Sequence, residues 1–281
     1  MCIKSEATVL VCCHKKDFWY DGDGFYPIHV GKSLSKEDLG INGDNIGDNI
    51  SEKNSNYCEL TAQYWLWKYG TDSEYVGLNH YRRYFDFRRK SGSGYFFDNV
   101  KESQVKNGKL DLPKDLDKIF HSYDVILAKP MIYPISIEMQ YILAHNKQDL
   151  FALRRIVNSL YPEYLEAFDV VMKGNKISLC NMFIMKASTF NEYSKWLFDI
   201  LFALEKKITV SSEPYQSRIY GFMAERLLNV YVQQNKLRPK YYPIIKISED
   251  SSLNHFKGKL KNKLNSLAFS IISQSSDCKI H

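Results

Sequence analysis

The sequence lacks any apolar run long enough to cross a bilayer. Its first such run, Ala7 to Cys13, falls far short of the ~20 residues a spanning helix needs and stops at His14-Lys15-Lys16. No signal peptide is recognisable at the start. The six cysteines, at 2, 12, 13, 58, 180 and 278, form no CxxC pair and have no metal-ligand spacing. They read as thiols of a reducing compartment rather than as a disulfide framework. Neither a Walker loop nor GxGxxG occurs, so nothing points to a kinase or a dehydrogenase. There is no internal repeat. Nor is there a contiguous basic stripe, because acidic residues are interspersed along the whole chain, which argues against nucleic acid as a partner. A cytoplasmic protein is expected.

What is present is a chain of 281 residues, 44% hydrophobic and 14% aromatic, able to bury one large core or two unequal ones. Twenty Tyr and four Trp suit sugar- or base-stacking surfaces and equally a Tyr-rich core. The net charge of +6 fits an anionic ligand, nucleic acid or an acidic membrane surface without choosing among them.

Thr8 to Cys13 reads as a buried first strand, continuously apolar as a parallel strand is. From Asp21 to Ser55 the chain is rich in Gly, Asp and Asn and predicts loop, with one short strand near Pro27 to Val30. A helix is expected from Tyr57 to Tyr69, stopped by Gly70, then strands at Tyr75 to Asn79 and Tyr123 to Ala128. The segment Lys90 to Asn107 reads as a surface excursion. Helical spacing follows over Ile137 to Leu153 and Tyr164 to Met172, then an apolar strand Asn181 to Met185, then helices Phe190 to Leu204 and Gln216 to Val230. Strands alternating with helices indicate an α/β sheet, which binds ligands beyond the carboxyl ends of its strands. His14-Lys15, Asn79-His80 and Lys129-Pro130 meet at that edge if the strands are parallel.

The most informative stretch is Tyr75-Val-Gly-Leu-Asn-His-Tyr-Arg-Arg-Tyr-Phe85. A strand-like run ends in a histidine, two arginines and three aromatic rings. Unpaired guanidinium groups are costly to bury, and their planar forks match phosphate oxygens two at a time. This is the pattern of the phosphate-handling edge of a nucleotide site. Strand alternation can send Arg82 and Arg83 in opposite directions, one of them into a structural ion pair.

Five ordered segments carry a resemblance: Asn49 to Asn54, Tyr57 to Lys68, Val76 to Phe85, Asn181 to Met185 and Tyr220 to Leu228. Over roughly residues 5 to 245 the chain resembles a bacterial family long catalogued as a domain of unknown function and found in capsular-polysaccharide and lipopolysaccharide gene clusters. Members are regarded as glycosyltransferases of the GT-A type, some associated with galactofuranose or galactose transfer. The resemblance implies an α/β, GT-A-like, mostly parallel sheet flanked by helices over 1–248; the residues at 249–281 read separately as a helical C-terminal extension. It also implies a UDP-sugar donor and a growing, lipid-linked glycan as acceptor.

Many GT-A enzymes place Asp-x-Asp at a central strand end to hold a divalent metal against the diphosphate. Here that strand end reads Asn79-His80-Tyr81-Arg82-Arg83, and the one Asp-x-Asp, Asp21-Gly-Asp23, lies early in a glycine-rich loop. His80, Arg82 and Arg83 are therefore expected to stabilise the departing diphosphate, with Mn or Mg allowed but not required and no metal ligands assigned. Glu225, on an otherwise apolar helix, is the candidate general base, with a pair to Arg218 or Arg226 as the structural alternative. His14, Lys15, Asp48, Asn49, Asn56, Glu59 and Asn79 are candidates for the nucleotide, although Asn and Asp in loops also serve turns and caps. His145, Asn181 and Arg218 are candidates for the donor sugar or the acceptor.

Beyond Ser252, Leu253, Phe256, Leu260, Leu264, Leu267 and Ile271 recur at helical intervals among Lys257, Lys259, Lys261 and Lys263. This is a basic amphipathic pattern suited to an anionic bilayer, and a helix packed on the catalytic domain needs the same stripe. The expectation is peripheral attachment at the inner face of the plasma membrane. The rival reading is a glycan-binding or assembly protein that keeps the fold without the chemistry.

Overall fold

The computed structural model describes residues 6–88, 97–105 and 110–248. The chain opens with β1 (Ala7–Cys13) and β2 (Phe25–His29), then the short helix α1 (Asn54–Tyr57) and α2 (Leu60–Tyr69). Next come β3 (Tyr75–His80), β4 (Arg83–Phe85), β5 (Phe97–Lys101), α3 (Leu116–Ser122), β6 (Val125–Ala128) and β7 (Met131–Ile132). The second half holds α4 (Ile137–Ala144), α5 (Lys147–Leu160), α6 (Leu165–Lys173), β8 (Lys176–Ile177), β9 (Phe183–Lys186), α7 (Ala187–Glu205), α8 (Ile219–Gln234), β10 (Pro239–Tyr242) and β11 (Ile244–Ser248).

The central sheet is curled, mostly parallel and flanked by helices. β1 lies between β2 and β3, parallel to both, with Leu10 opposite Leu78 and Cys12 opposite His80. β9 runs antiparallel between β3 and β6, and β10 extends the sheet parallel to β6. Hence β2, β1, β3, β6 and β10 all point one way and their carboxyl ends share an edge. β1 is buried throughout because both of its faces are covered, which is why its sequence is apolar without alternation.

Alternation along the strands sends side chains into two cores. Leu10, Cys12, Val76 and Leu78 face the core built with α2, α7 and α8, while Val9, Val11, Tyr75 and Ile184 face the one built with α3, β4 and β11. Gly77 makes the β3–β9 contact possible. A Cβ there would stand 2.8 Å from the Phe183 carbonyl oxygen and from Ile184, closer than any side chain tolerates.

Several elements differ from the sequence reading. The helix expected over Tyr57–Tyr69 is two, because Cys58 takes φ 53° between α1 and α2. Asn54 Nδ2 and Thr61 Oγ1 both donate to the Cys58 carbonyl, at 2.7 and 3.1 Å, and hold that break. The helix expected over Ile137–Leu153 also breaks, where Asn146 accepts from the Gln148 N–H and caps α5. Asn181 precedes its strand in a left-handed turn, with Cys180 at φ 76° and Asn181 at φ 49°. α8 is preceded by a turn of 3₁₀ helix over Gln216–Arg218. β5, β10 and β11 have no counterpart in the sequence reading. The amphipathic tail after Ser252 and residues 90–96 and 106–107 of the Lys90–Asn107 excursion lie outside the described residues, and the rest of that excursion carries β5.

Candidate active site

β3 and β4 are joined by a two-residue turn, Tyr81-Arg82, so that His80 lies opposite Arg83. On the other side of β4, Arg83 lies opposite Lys246 of β11. Residues directly opposite one another on antiparallel strands project from the same face. His80, Arg83 and Lys246 therefore present their side chains together, and all three line a cavity of about 660 Å³ at the carboxyl edge of the sheet. Cys12, His14, Cys58, Glu59, Arg82 and Arg218 complete most of its wall.

The two adjacent arginines have different partners. Arg82, at the turn, donates from Nη2 to Asp17 Oδ1 at 2.6 Å. Burial pushes the Asp17 carboxyl up, but its hydrogen bonds to Arg82 and to the Phe18 N–H bring it below its ordinary value. Arg83 forms no ion pair among the described residues and faces the cavity. Arg218, from the segment preceding α8, donates from Nε to the Cys58 sulfur at 3.2 Å. Burial pushes the Cys58 thiol up to about 12, so the sulfur accepts as a neutral group, and the carboxylates that act on the Arg218 charge are Glu59 and Glu225. The cavity thus gathers Arg83, Lys246 and Arg218 around one lining carboxylate, Glu59. Such a wall has the charge and the donors to suit a multivalent anion.

His80 donates from Nε2 to the Cys180 carbonyl at 2.7 Å, since a carbonyl can only accept. Burial lowers its pKa, which favours the neutral ring. The Cys180 N–H is held from the other side by Glu225 Oε1 at 2.8 Å. Both bonds brace the left-handed Cys180–Asn181 turn, which presents the Asn181 amide. Asn181 Nδ2 donates to Glu59 Oε1 at 2.7 Å and to the Gly221 carbonyl at 3.0 Å. Glu59, 8% exposed, is fixed at the cavity wall by that contact.

His14, Glu59, His80, Arg82, Arg83 and Arg218 of the expected site residues meet at this cavity. Glu225 does not line it. Its second oxygen accepts from Arg226 Nη1 at 3.1 Å, and burial raises its pKa. Asn79 projects from the opposite face of β3 from His80 and is 1% exposed. Lys15 stands at the surface with its Nζ 3.4 Å from Asp17. Asp48 accepts from the Tyr64 hydroxyl, Asn49 closes a turn with Gly47 and Ser51, and Asn56 donates to the Ser217 carbonyl. His145 lies in a second cavity, hydrogen-bonded to Gln216. Asp21 and Asp23 stand outside the cationic cavity, and no cluster of three or more His, Cys, Asp or Glu suited to a metal occurs among the described residues.

Sequence reasoning misses Lys246, Cys58 and Asp17. Lys246 has a readable signal, a single cation inside the apolar run Ile244-Ile-Lys-Ile247. Cys58 has none, because its role depends on a backbone break that the helical spacing of the surrounding residues does not show.

Residues 8–236 match the profile of a family described as a domain of unknown function (DUF4422). Among solved structures, the apo structure of the WbbM bifunctional glycosyltransferase superposes with a TM-score of 0.78 at 31% identity. The match covers 87% of this chain and 46% of that one, so the chain spans less than half of that protein's length. No curated protein matches the chain.

Proposed function

The chain belongs to the DUF4422 family, and from that membership and the cationic cavity we propose that it is a glycosyltransferase. Its donor is a UDP-sugar, with galactose in furanose or pyranose form as the leading candidate. Its acceptor is a growing, lipid-linked glycan of a capsule or O-antigen. One observation carries this reading: Arg83, Lys246 and Arg218 face a single cavity at the carboxyl edge of a sheet whose arrangement matches a glycosyltransferase.

In the transfer, the bond from the anomeric carbon to the diphosphate oxygen breaks while the acceptor hydroxyl oxygen bonds to that carbon and passes its proton to a site carboxylate or to the departing diphosphate. Negative charge grows on the departing diphosphate, and prearranged cations stabilise it most where charge develops. Arg83, Lys246 and Arg218 supply three positive charges for that purpose, so transfer is expected to persist in chelator. His80 and the Asn181–Glu59 pair line or brace the same wall and suit ribose or sugar hydroxyls. Glu59 lines the cavity, which favours it over Glu225 as the carboxylate that meets a hydroxyl. The basic tail at 249–281 suits attachment to an anionic membrane face. Among the described residues no helix is long and apolar enough to cross a membrane.

The test is a thermal-shift panel of nucleotide sugars, with and without Mn, on the full chain. A ligand at a hundredfold excess over its Kd stabilises the native state by about 2.7 kcal/mol. UDP-galactose or UDP-galactofuranose is expected to raise Tm in the absence of Mn. A panel in which no nucleotide sugar moves Tm removes the proposal.

A further inference from the structure

The connector between α7 and α8 separates two cavities of different chemistry. Pro214, Ser217 and Arg218 face the cationic cavity. Gln216 and Ile219, with Thr209 and Ser211 upstream, face a second cavity of about 380 Å³. Its far wall comes from the α4–α5 break, through His145, Asn146 and Asp149. Both volumes fall in the range of ~300–1,000 Å³ common to small-ligand sites.

The second cavity offers hydroxyl, amide and imidazole groups, one carboxyl (Asp149) and apolar side chains, and no lysine or arginine. Burial lowers the His145 pKa and raises that of Asp149, so both groups are pushed toward their uncharged forms. The polar wall is prearranged. His145 Nδ1 donates to Gln216 Oε1 at 2.9 Å, and Gln216 Nε2 donates to the Ala144 carbonyl at 3.0 Å. These two bonds fix both the amide orientation and the tautomer, leaving His145 Nε2 as an acceptor. Beside this wall stands Tyr215, 51% exposed, its ring stacked on His145 at 5.8 Å and 18° and set 5.2 Å from Phe222. An exposed ring pinned on one side by another ring keeps its outer face available and already ordered.

Fixed hydrogen-bonding groups of low charge beside an ordered aromatic platform match a neutral polyhydroxylated ligand. A diphosphate would find no cation there. We propose that this second cavity, with Tyr215 at its rim, is the subsite for the acceptor glycan. The ligand class is a neutral oligosaccharide, lying across the connector from the donor. The inference rests on reading the first cavity as the donor site. The connector then borders both subsites, contributing Arg218 to one and Gln216 to the other, and the glycan's reacting end must extend past it into the first cavity to meet the anomeric carbon.

The test is an array of bacterial capsule and O-antigen oligosaccharides probed with the fluorescently labelled full chain. Nucleotide-sugar binding is followed in parallel by the thermal-shift panel. Tyr215→Ala should weaken glycan retention about tenfold, the value of one well-placed ring contact. Ser211→Trp, which fills the cavity, should abolish retention. Both variants should bind UDP-galactose as the parent chain does. Retention of no glycan, or retention unchanged in both variants, overturns the proposal. So does a well-folded variant that loses glycan and nucleotide sugar together, because the two ligands would then share one site. Glycan retention that depends on Tyr215 in a chain that binds no nucleotide sugar supports the glycan subsite and removes the donor reading.

Discussion

Two regions of the chain carry a pair of adjacent charges set among apolar residues: Arg82-Arg83 at the sheet edge and Glu225-Arg226 within α8. In sequence they look alike. In the fold, Arg226 is 2% exposed and its terminal nitrogens reach the Phe222 carbonyl, Glu225 and Gln140, with its plane over the Tyr141 ring. Arg83 has none of this around it and opens on a cavity shared with Lys246 and Arg218. A buried charge whose hydrogen bonds close internally organises structure. One left facing an anion-sized space with like charges beside it is held at a cost in repulsion, which a ligand can offset.

Substitutions break that comparison in different places. The largest effect should come from Arg226→Ala, which strands Glu225 as a buried carboxylate and opens a void. A loss of about 3–5 kcal/mol is expected from urea denaturation, with Arg226→Met costing less because it refills the space. Arg83→Ala should change stability by no more than about 0.5 kcal/mol, since no partner is left behind. It should nonetheless weaken transfer or nucleotide-sugar binding by about 10²–10³, as removal of a charge-stabilising donor does. Equal stability losses in the two alanine variants would erase the distinction.

Asp17→Asn probes the arginine that does have a partner. The Arg82 and Asp17 side chains are 22% and 9% exposed, so removing the pair should cost about 1–3 kcal/mol. Asp17 has a lowered folded pKa, so its contribution is present above the ordinary carboxylate value of 3.8 and is lost as pH falls through the folded value. Acid unfolding of Asp17→Asn should therefore be shallower at its low-pH end. The smallest expected effect concerns His80. Burial lowers its folded pKa below 6.5, so the unfolded chain takes up more protons as pH drops through that value and stability declines. His80→Gln should flatten the decline in Tm below pH 6.5, and identical slopes would show that His80 takes up its proton equally in both states.

Parts of this are legible in the residues themselves. Thr8 to Cys13 and Tyr75 to Asn79 read directly as strands because they are apolar on both faces, and their shared carboxyl edge follows from the α/β pattern. His80, Arg83 and Arg218 stand out by charge in apolar surroundings. The breaks at Cys58 and His145 are not legible from spacing, since helical periodicity continues through both; local side-chain bonds from Asn54, Thr61 and Asn146 hold them, and Gln216 adds a tertiary bond at His145. Nor is the pairing of Asn56 with Ser217, which are 161 residues apart in the chain.

Local patterns of apolar and charged residues determined the central strands β1, β3, β6 and β9, the general run of helices, and which charges needed an explanation. Only the folded chain decided that Arg83 faces a cavity while Arg82 meets Asp17, and that Glu225 braces a turn. Those outcomes depend on register between strands distant in sequence, β4 with β11 and β3 with β9, and a one-residue shift of register sends every side chain to the other face.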